Sequence, residues 1–274
     1  MNSSKKVLLL LVGFSFLSFS HVSNATIMTT GCAGATSCTM AELVGGGSLS
    51  VDDVSFNSWA ESENFLAIFD EFNNFDDGLL DLSEIFVTGI DSVATGNPNE
   101  FTLGLIISSQ SEFSVTAEAF TQLQEIPEAE LGLTTEFNVS ASGSTEITGV
   151  SLEMGSRDLG PDTQDTYAEV NLDEIGSAFG LQVFEENIFG AFDDMLFDDV
   201  SFPPLTSVDM ENNIQVGTFD AGTVGLFSYS FLFTTTTQTP PPPPPAVPAP
   251  AAVYLLLTGL LMISVKKRRS IKLP

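Results

Sequence analysis

The sequence predicts an all-β protein, a single β-sandwich or open-barrel-like domain flanked by a signal peptide and a C-terminal apolar helix. Segments rich in β-branched and aromatic residues recur along the chain, and several of them alternate. In "TEFNVSASG", for example, Phe137, Val139 and Ala141 fall on one face of a strand. Turn sequences such as "TGNPNE" and "RDLGPDTQD" separate these segments at short intervals. Several strands with turns between them are typical of a sandwich or an open barrel.

The N-terminus has the organisation of a secretory signal peptide. Lys5 and Lys6 form a positive start, residues 7–19 are mainly apolar, and Ser23-Asn24-Ala25 is a small-residue cleavage site. The apolar stretch is too short to cross about 30 Å of hydrocarbon; a buried N-terminal helix is the alternative. We therefore expect residues 1–25 to be removed, and residues 26–236 to form the β-rich extracellular domain.

The domain is predicted to begin with a cysteine pair and one helical turn. Cys32 and Cys38 are the only cysteines, and in an exported protein we expect them to form a disulfide. A metal pair is the alternative, although the domain has no histidine to complete a zinc site. Thr39 and Glu42 have the spacing of a capping box, and the glycine run at 45–47 ends the predicted helix.

Strand-like sequence starts at "SLSVDDVSF", and nine further segments are predicted strands. They are 84–90, 101–108, 112–120, 133–141, 146–154, 166–172, 181–185, 213–219 and 223–235.

One segment breaks this pattern. In "AESENFLAIFDEF", residues 60–72, Phe65, Phe69 and Phe72 fall at i, i+4 and i+7, which predicts a short helix packed on the sheet. Trp59 precedes this segment and is predicted to anchor the core, with a sugar-stacking platform as the alternative.

The segment "NNFDDGLLDLSE" can be aligned with the twelve-residue calcium loop of an EF-hand. On that alignment the oxygen ligands come from Asn73, Asp77, Asp81 and Glu84. The third position is Phe75, which has no oxygen to offer, so an acidic surface turn is the alternative.

The sequence "FDD" recurs at residues 75–77, 192–194 and 197–199. These repeats could form looser calcium sites between loops. The simpler interpretation is that each repeat is a turn with one buried phenylalanine and two solvated acids.

The C-terminus combines a spacer, an apolar stretch and a basic tail. Residues 237–250 contain a proline run, which as polyproline II extends about 3.1 Å per residue. Residues 251–265 are mainly apolar and are shorter than the roughly 20 residues of a comfortable membrane span, unless the count begins at Val247. The basic tail, residues 266–274, is expected to stay on the cytoplasmic side.

This end of the chain, "VPAPAAVYLLLTGLLMISVKKRR", resembles the PEP-CTERM sorting signal in its V-P-x-P-A variant. The matching residues are Val247, Pro248, Pro250, Ala251, Gly259, Lys266, Lys267, Arg268 and Arg269. Ala249 stands where the family's motif has Glu. The resemblance implies a sorting helix that a membrane-embedded exosortase recognises, cutting near the proline motif and releasing or transferring the body to the cell exterior. A permanent single-span anchor in the cytoplasmic membrane is the alternative.

The body is also similar to a recurrent class of β-rich PEP-CTERM exoproteins. The similarity lies in "SCTMAELVGGGSLSVDDVSFNSW", in residues 83–91 and in "NPNEFTLGL". Asn99 and Glu100 stand where that class has a glycine-containing turn. The resemblance implies a location and a fold, and it implies no catalytic mechanism.

The charge distribution excludes a nucleic-acid partner. All 36 acidic residues lie between the two ends, and Arg157 is the only Lys or Arg between residues 7 and 265, so the mature body carries about −35. Binding to phosphate needs a Lys/Arg footprint, which this body lacks. A solvated acidic surface is the simplest interpretation of the charge.

The residue types also exclude most nucleophilic catalysis. The only histidine, His21, lies in the predicted signal peptide, and the body has no lysine, so Ser-His, Cys-His and Ser-Lys pairs cannot form there. Carboxylate glycosidase chemistry remains open by residue type. The sequence therefore predicts a non-enzymatic, exported structural or adhesive protein without a cofactor, with exosortase, the cytoplasmic membrane before processing and exopolysaccharide as partners. A calcium-dependent or carbohydrate-binding module is the alternative.

Overall fold

The computed structural model describes residues 26–68, 78–97, 99–117, 128–160, 165–176, 179–188 and 190–238. These residues form seventeen strands and one short helix. The strands are β1 Ile27–Thr30, β2 Ser37–Thr39, β3 Ser48–Val51, β4 Val54–Ile68, β5 Ile85–Ala94, β6 Glu100–Ser109, β7 Ser114–Ala117, β8 Ala129–Ala141, β9 Thr145–Met154, β10 Arg157–Asp158, β11 Asp165–Glu174, β12 Gly180–Ile188, β13 Ala191–Met195, β14 Phe197–Leu205, β15 Ser207–Thr218, β16 Gly222–Leu226 and β17 Ser228–Thr237. The helix α1, Met40–Val44, lies between β2 and β3.

The strands form three antiparallel sheets. The eight-stranded sheet has the order β1-β3-β4-β8-β15-β11-β12-β13, and the six-stranded sheet has the order β14-β9-β17-β6-β5-β2. A three-stranded sheet has the order β10-β16-β7. Every strand pair in these sheets is antiparallel.

The two large sheets pack face to face through aromatic side chains. Trp59 stacks on Phe137 with ring centroids 4.4 Å apart, and Phe137 stacks on Phe231 at 5.4 Å. Trp59 and Phe137 belong to β4 and β8 of the eight-stranded sheet, whereas Phe231 belongs to β17 of the six-stranded sheet. Two sheets whose inner faces share one core form a β-sandwich, which confirms the predicted fold class.

The alternating sequence pattern decides which residues face that core. On β15, the side chains of Val208, Met210, Ile214 and Val216 are buried. Asp209 and the residues two positions before and after it are more exposed, as expected for a strand with one face on the core. On β8, Phe137 and Val139 are buried as predicted, and Trp59 is 5% exposed, which confirms it as a core residue.

The nine predicted strands are found, with shifted ends. The predicted strand 223–235 is divided at Phe227 into β16 and β17. β7, Ser114–Ala117, lies within the predicted strand 112–120, of which residues 118–120 lie outside the described residues. The capping box is also confirmed: the Thr39 hydroxyl accepts a hydrogen bond from the Glu42 N–H, and the Glu42 carboxylate accepts one from the Thr39 N–H.

The helix predicted over residues 60–72 is wrong for residues 60–68, and residues 69–72 lie outside the described residues. Residues 60–68 lie within β4, which pairs with β8 from Val54↔Ala141 to Ile68↔Ala129. A helix there would leave one edge of β8 without backbone partners, whereas the strand satisfies that edge. Two register shifts, between Asn57 and Ala60 and between Glu61 and Glu63, let the irregular sequence follow β8.

The interpretation of the "FDD" repeats as turns with buried phenylalanines is also wrong at two of the three positions. Phe192 lies in β13 and Phe197 in β14, and both are edge strands of their sheets. Their side chains are 53% and 54% exposed. The third repeat lies outside the described residues.

The described residues from Thr26 to Thr237 belong to one compact unit, and Gln238 is the one described residue beyond it. No helix within the described ranges is long and apolar enough to cross a membrane. The predicted signal peptide and the predicted helix at 251–265 lie outside those ranges.

Candidate binding face

The outer face of the eight-stranded sheet carries two aromatic rings that cover glycines of neighbouring strands. We call this surface the aromatic face and define it by Phe65, Gly132, Tyr167 and Gly217. Leu131 and Leu133, which flank Gly132, are buried on the inner side, so Gly132 and its cross-strand partner Phe65 face outward.

Phe65 on β4 places its ring directly over Gly132 on β8. A Cβ added at Gly132 would stand 2.6 Å from Cζ of Phe65, a distance that real Cβ atoms do not show. A glycine inside a strand is costly, and it is retained where another group approaches the backbone closely. Gly132 therefore lets the phenyl ring lie against the sheet.

Tyr167 on β11 repeats this arrangement over Gly217 on β15. A Cβ at Gly217 would stand 2.5 Å from Cε1 of Tyr167 and 2.8 Å from its hydroxyl oxygen. Phe219 stacks on the same ring, with centroids 5.9 Å apart and an interplanar angle of 23°. The Tyr167 hydroxyl donates a 2.8 Å hydrogen bond to Oε1 of Glu130. Burial and this hydrogen bond raise the pKa of Tyr167, so the phenol stays protonated and remains a donor.

The two covered glycines fix the spacing of the rings. Gly132 lies opposite Gln215, which is two residues from Gly217 on the adjacent strand. With strands about 4.8 Å apart and a rise of about 3.4 Å per residue, the two covered positions are roughly 8 Å apart. The rings thus form two neighbouring apolar platforms.

Polar side chains beside the rings are held by one another. Oε1 of Glu169 accepts a 2.6 Å hydrogen bond from Asn171 and a 2.8 Å hydrogen bond from Gln182. The Asn213 amide donates a 2.8 Å hydrogen bond to the Thr134 hydroxyl, while the Asn213 carbonyl oxygen is buried and has no hydrogen-bond partner among the described residues. These two hydrogen-bonded groups are therefore preorganised, and the carbonyl oxygen of Asn213 is an unsatisfied acceptor.

The outer face is rich in carboxylates and has no cationic side chain. Its carboxylates include Glu63, Glu130, Glu136, Glu169, Asp173 and Glu211. Arg157 is the only Lys or Arg between residues 7 and 265. It pairs instead with Glu185, which lies opposite the buried Ala168 and so on the inner side of the sheet.

The predicted calcium residues divide between described and undescribed parts of the chain. Asn73 and Asp77 lie outside the described residues. The carboxylate of Asp81 accepts hydrogen bonds from the hydroxyl and the N–H of Ser83. These two hydrogen bonds lower the pKa of Asp81. The Glu84 N–H donates a hydrogen bond to the backbone carbonyl of Asp81. Asp81 therefore caps a local turn. Within the described ranges, no three acidic, cysteine or histidine side chains converge as a metal site would require.

The remaining predicted residues are placed as follows. Cys32 and Cys38 form a disulfide, which closes the loop before α1. The predicted sorting residues, from Val247 to Arg269, lie outside the described residues.

A cleft of about 470 Å³ lies at one end of the sandwich. Its lining includes Thr26 before β1, Asp52 and Asp53 between β3 and β4, and Thr237 at the end of β17. The two ends of the compact domain therefore line the same cleft. Phe101 and the buried side chain of Leu103, both on β6, supply apolar lining.

Sequence reasoning did not identify the aromatic face. Tyr167 lies in a predicted strand, but Phe65 is part of the predicted helix, so the two rings could not be placed on one surface. The available signal was an isolated glycine in each of two strand sequences, "ELGLTTEF" and "IQVGTF", since glycine within a strand indicates close approach of another group.

Comparisons with known proteins add little to this geometry. No family model matches the chain, and no curated protein matches it. Among solved structures, it is similar to the carbohydrate-binding module TmCBM61 in complex with β-1,4-galactotriose, with 10% identity, a TM-score of 0.19, and 52% of this chain and 90% of that chain covered. It is also similar to a structure described under the promiscuous specificity of carbohydrate-binding modules from the β-sandwich superfamily, with 8% identity, a TM-score of 0.14, and coverage of 76% and 95%. Both TM-scores lie well below 0.5, so neither structure indicates what this chain binds.

Proposed function

We propose that this protein is an exported, non-catalytic adhesive component of the cell surface or extracellular matrix, and that it binds neutral polysaccharide through the aromatic face. The observation that carries the binding proposal is the pair of rings, Phe65 over Gly132 and Tyr167 over Gly217, beside preorganised carboxylates and amides.

The chemistry of a sugar polymer complements this surface. One face of a pyranose ring presents C–H groups, which pack on an aromatic ring. The sugar hydroxyls donate hydrogen bonds to carboxylates, and they both donate hydrogen bonds to amides and accept hydrogen bonds from them. Glu130 and Glu169 are acceptors already fixed in place, by Tyr167 in the first case and by Asn171 and Gln182 in the second. Because the two covered glycines are roughly 8 Å apart, a chain of sugar units is needed to reach both rings.

The charge of the face selects a neutral polymer over an anionic one. The carboxylates of β8, β11 and β15 are not offset by any Lys or Arg, because Arg157 is engaged on the inner side. An anionic polysaccharide would meet like charge across the whole surface.

Export is supported by the sequence of the two ends. Residues 1–25 have the pattern of a signal peptide, and the segment from Val247 to Arg269 resembles a PEP-CTERM sorting signal. On this proposal an exosortase removes the tail, and the domain acts outside the cell.

The binding proposal is tested by affinity electrophoresis of the exported protein in gels that contain a neutral β-glucan, a neutral galactan or anionic alginate. We expect retardation by at least one neutral polymer and none by alginate. Tyr167→Ala and Phe65→Ala should each raise the dissociation constant about 3–10-fold, which corresponds to the stacking energy of one ring.

The matched control is Phe192→Ala, because that ring is also exposed but lies on the edge strand β13. It should leave the retardation unchanged. Binding to alginate as strong as to the neutral polymers, or an equal loss in Phe192→Ala, would contradict the assignment of the aromatic face.

The export proposal has a separate test, which is the intact mass of the protein from cells with and without an exosortase. We expect a species that lacks residues 1–25 in both, and loss of the C-terminal segment only when the exosortase is present. A mature species that ends at Pro274 in both cells would exclude processing by this route.

A further inference from the structure

The first described residue, Thr26, is joined to the turn between β3 and β4. The Thr26 N–H donates a 2.9 Å hydrogen bond to Oδ1 of Asp52, and the Asp52 N–H donates a 3.1 Å hydrogen bond to the Thr26 carbonyl. These bonds continue the pairing of β1 with β3 by one step beyond Ile27↔Val51. The nitrogen of Thr26 is therefore held against a carboxylate.

The same nitrogen follows the predicted signal-peptide cleavage site, Ser23-Asn24-Ala25. In the precursor it is a neutral amide, which makes a single hydrogen bond to Asp52. Cleavage after Ala25 would convert it into an α-ammonium, which is cationic below a pKa of about 8.

We infer that signal-peptide removal creates an ion pair between the α-ammonium of Thr26 and the carboxylate of Asp52 at the rim of the end cleft. This inference depends on the export part of the proposed function and is independent of polysaccharide binding. Water hydrolyses the peptide bond between Ala25 and Thr26: its oxygen becomes part of a new carboxylate on Ala25, and its two protons complete the α-ammonium of Thr26.

The surrounding charges make this ion pair unusual in the domain. Arg157 is the only other cation between residues 7 and 265, and it is already paired with Glu185. Asp52 and Asp53 are the titratable residues among those that line the cleft, and the Asp53 carboxylate lies 3.4 Å from the Thr145 hydroxyl. The new ammonium would therefore meet carboxylates and hydroxyls and no competing cation.

The backbone of Asp52 supports the same assignment. Its φ is 52°, in the left-handed region, which glycine, asparagine and aspartate occupy more readily than other residues. Glycine or asparagine would meet the needs of this two-residue turn, but neither would supply a carboxylate for Thr26.

The ion pair also has a structural consequence. β1 is an edge strand of four residues and pairs only with β3 in the eight-stranded sheet. Short edge strands fray readily, and an ion pair at the first residue would hold this one in place.

The inference is tested by measuring the pKa of the α-amino group in the exported, processed protein. Reductive ¹³C-methylation labels amines, and the domain has no lysine, so the α-amino signal is distinct from those of any remaining tail lysines. We expect the pKa of this group to be lower in Asp52→Asn by about 0.2–0.7. This range is the free energy of an exposed ion pair divided by 1.36 kcal/mol per pKa unit.

Asp53→Asn is the matched control, because it removes the same charge from the adjacent residue of the turn. It should lower the pKa of the α-amino group less than Asp52→Asn does. A second control inserts Gly-Ser between Ala25 and Thr26, which moves the ammonium two residues away; there Asp52→Asn should have no effect on the pKa.

Equal shifts in Asp52→Asn and Asp53→Asn, or no shift in either, would overturn the ion pair. An N-terminal sequence that begins at a residue other than Thr26 would overturn the role of processing. Neither outcome bears on polysaccharide binding, which the gel assay measures separately.

Discussion

Arg157 on β10 donates its Nε–H to Oε2 of Glu185 on β12, and this ion pair connects the three-stranded sheet with the eight-stranded sheet. The guanidinium also donates a 3.1 Å hydrogen bond to the Gly155 carbonyl. The side chains are 24% and 18% exposed, so both charges are partly removed from water. Glu185 also lies opposite Asp194 on β13, so the arginine pairs with one of two neighbouring carboxylates.

Replacing this arginine should destabilise the domain. In Arg157→Met, Glu185 keeps its charge but loses its partner, and we expect the free energy of unfolding in urea to fall by about 1–3 kcal/mol. Glu185→Gln removes the orphaned charge, so the double variant Arg157→Met/Glu185→Gln should recover part of that loss. Additive losses in the double variant would show that the two side chains are not coupled.

The sequence was sufficient to predict the sandwich because alternation and turns are local properties. The buried positions of β8 and β15 follow the period of two, and the capping box at Thr39 is a short-range signature. Residues 60–68 were assigned to a helix because the periodicity depended on three phenylalanines. What decides their structure is the unpaired edge of β8, which lies about 70 residues further along the chain.

The aromatic face could not be predicted for a related reason. It depends on the register that places Phe65 beside Gly132 and Tyr167 beside Gly217, and register is a long-range property. The edge strands β13 and β14 were misinterpreted because "FDD" contains turn-like acids. In the structure those acids lie along exposed strand edges, where charge discourages pairing with another chain.

Filling one of the glycine positions should displace a ring of the aromatic face. In Gly217→Ala the new methyl group would stand 2.5 Å from Cε1 of Tyr167, so the ring must move away from β15. We expect loss of retardation by the neutral polysaccharide and a fall in the free energy of unfolding of about 1–3 kcal/mol, the usual cost of overpacking.

The double variant Gly217→Ala/Tyr167→Ala provides the control, because without the ring the methyl group meets no steric conflict. Its stability should exceed the value expected from adding the two single losses. Strict additivity would contradict the close packing of the ring on the glycine.

A row of three carboxylates across the outer face should limit stability at low ionic strength. Glu211 on β15 lies directly opposite both Glu136 on β8 and Asp173 on β11. Because like charges in such positions are destabilising, Glu211→Lys should raise the free energy of unfolding by about 0.5–1 kcal/mol. Chemical denaturation in 10 mM and 1 M NaCl measures the effect, which salt should reduce.

Glu153→Lys is the control for that substitution, because it makes the same change in charge. Glu153 lies on β9 of the six-stranded sheet opposite Ser230 and Phe197, so it has no carboxylate directly opposite it. An equal gain in both variants would indicate that the change in net charge, rather than the row of carboxylates, is responsible.

The carboxylate of Glu42 should make the N-terminal region sensitive to acid. It accepts a 2.8 Å hydrogen bond from the Thr39 N–H and another of 2.8 Å from the Ala33 N–H, and so ties α1 to the disulfide loop. These backbone hydrogen bonds lower the pKa of Glu42 below its ordinary value of 4.5. A lowered pKa in the folded state gives stability that is present above the ordinary pKa and is lost as the pH falls through the folded pKa.

Glu42→Gln should therefore be less stable than the parent protein at pH 6, and the difference in thermal midpoint should shrink towards pH 2.5. Thermal unfolding followed by circular dichroism across this range measures the difference, and a constant gap at every pH would mean that the carboxylate charge contributes nothing to the cap.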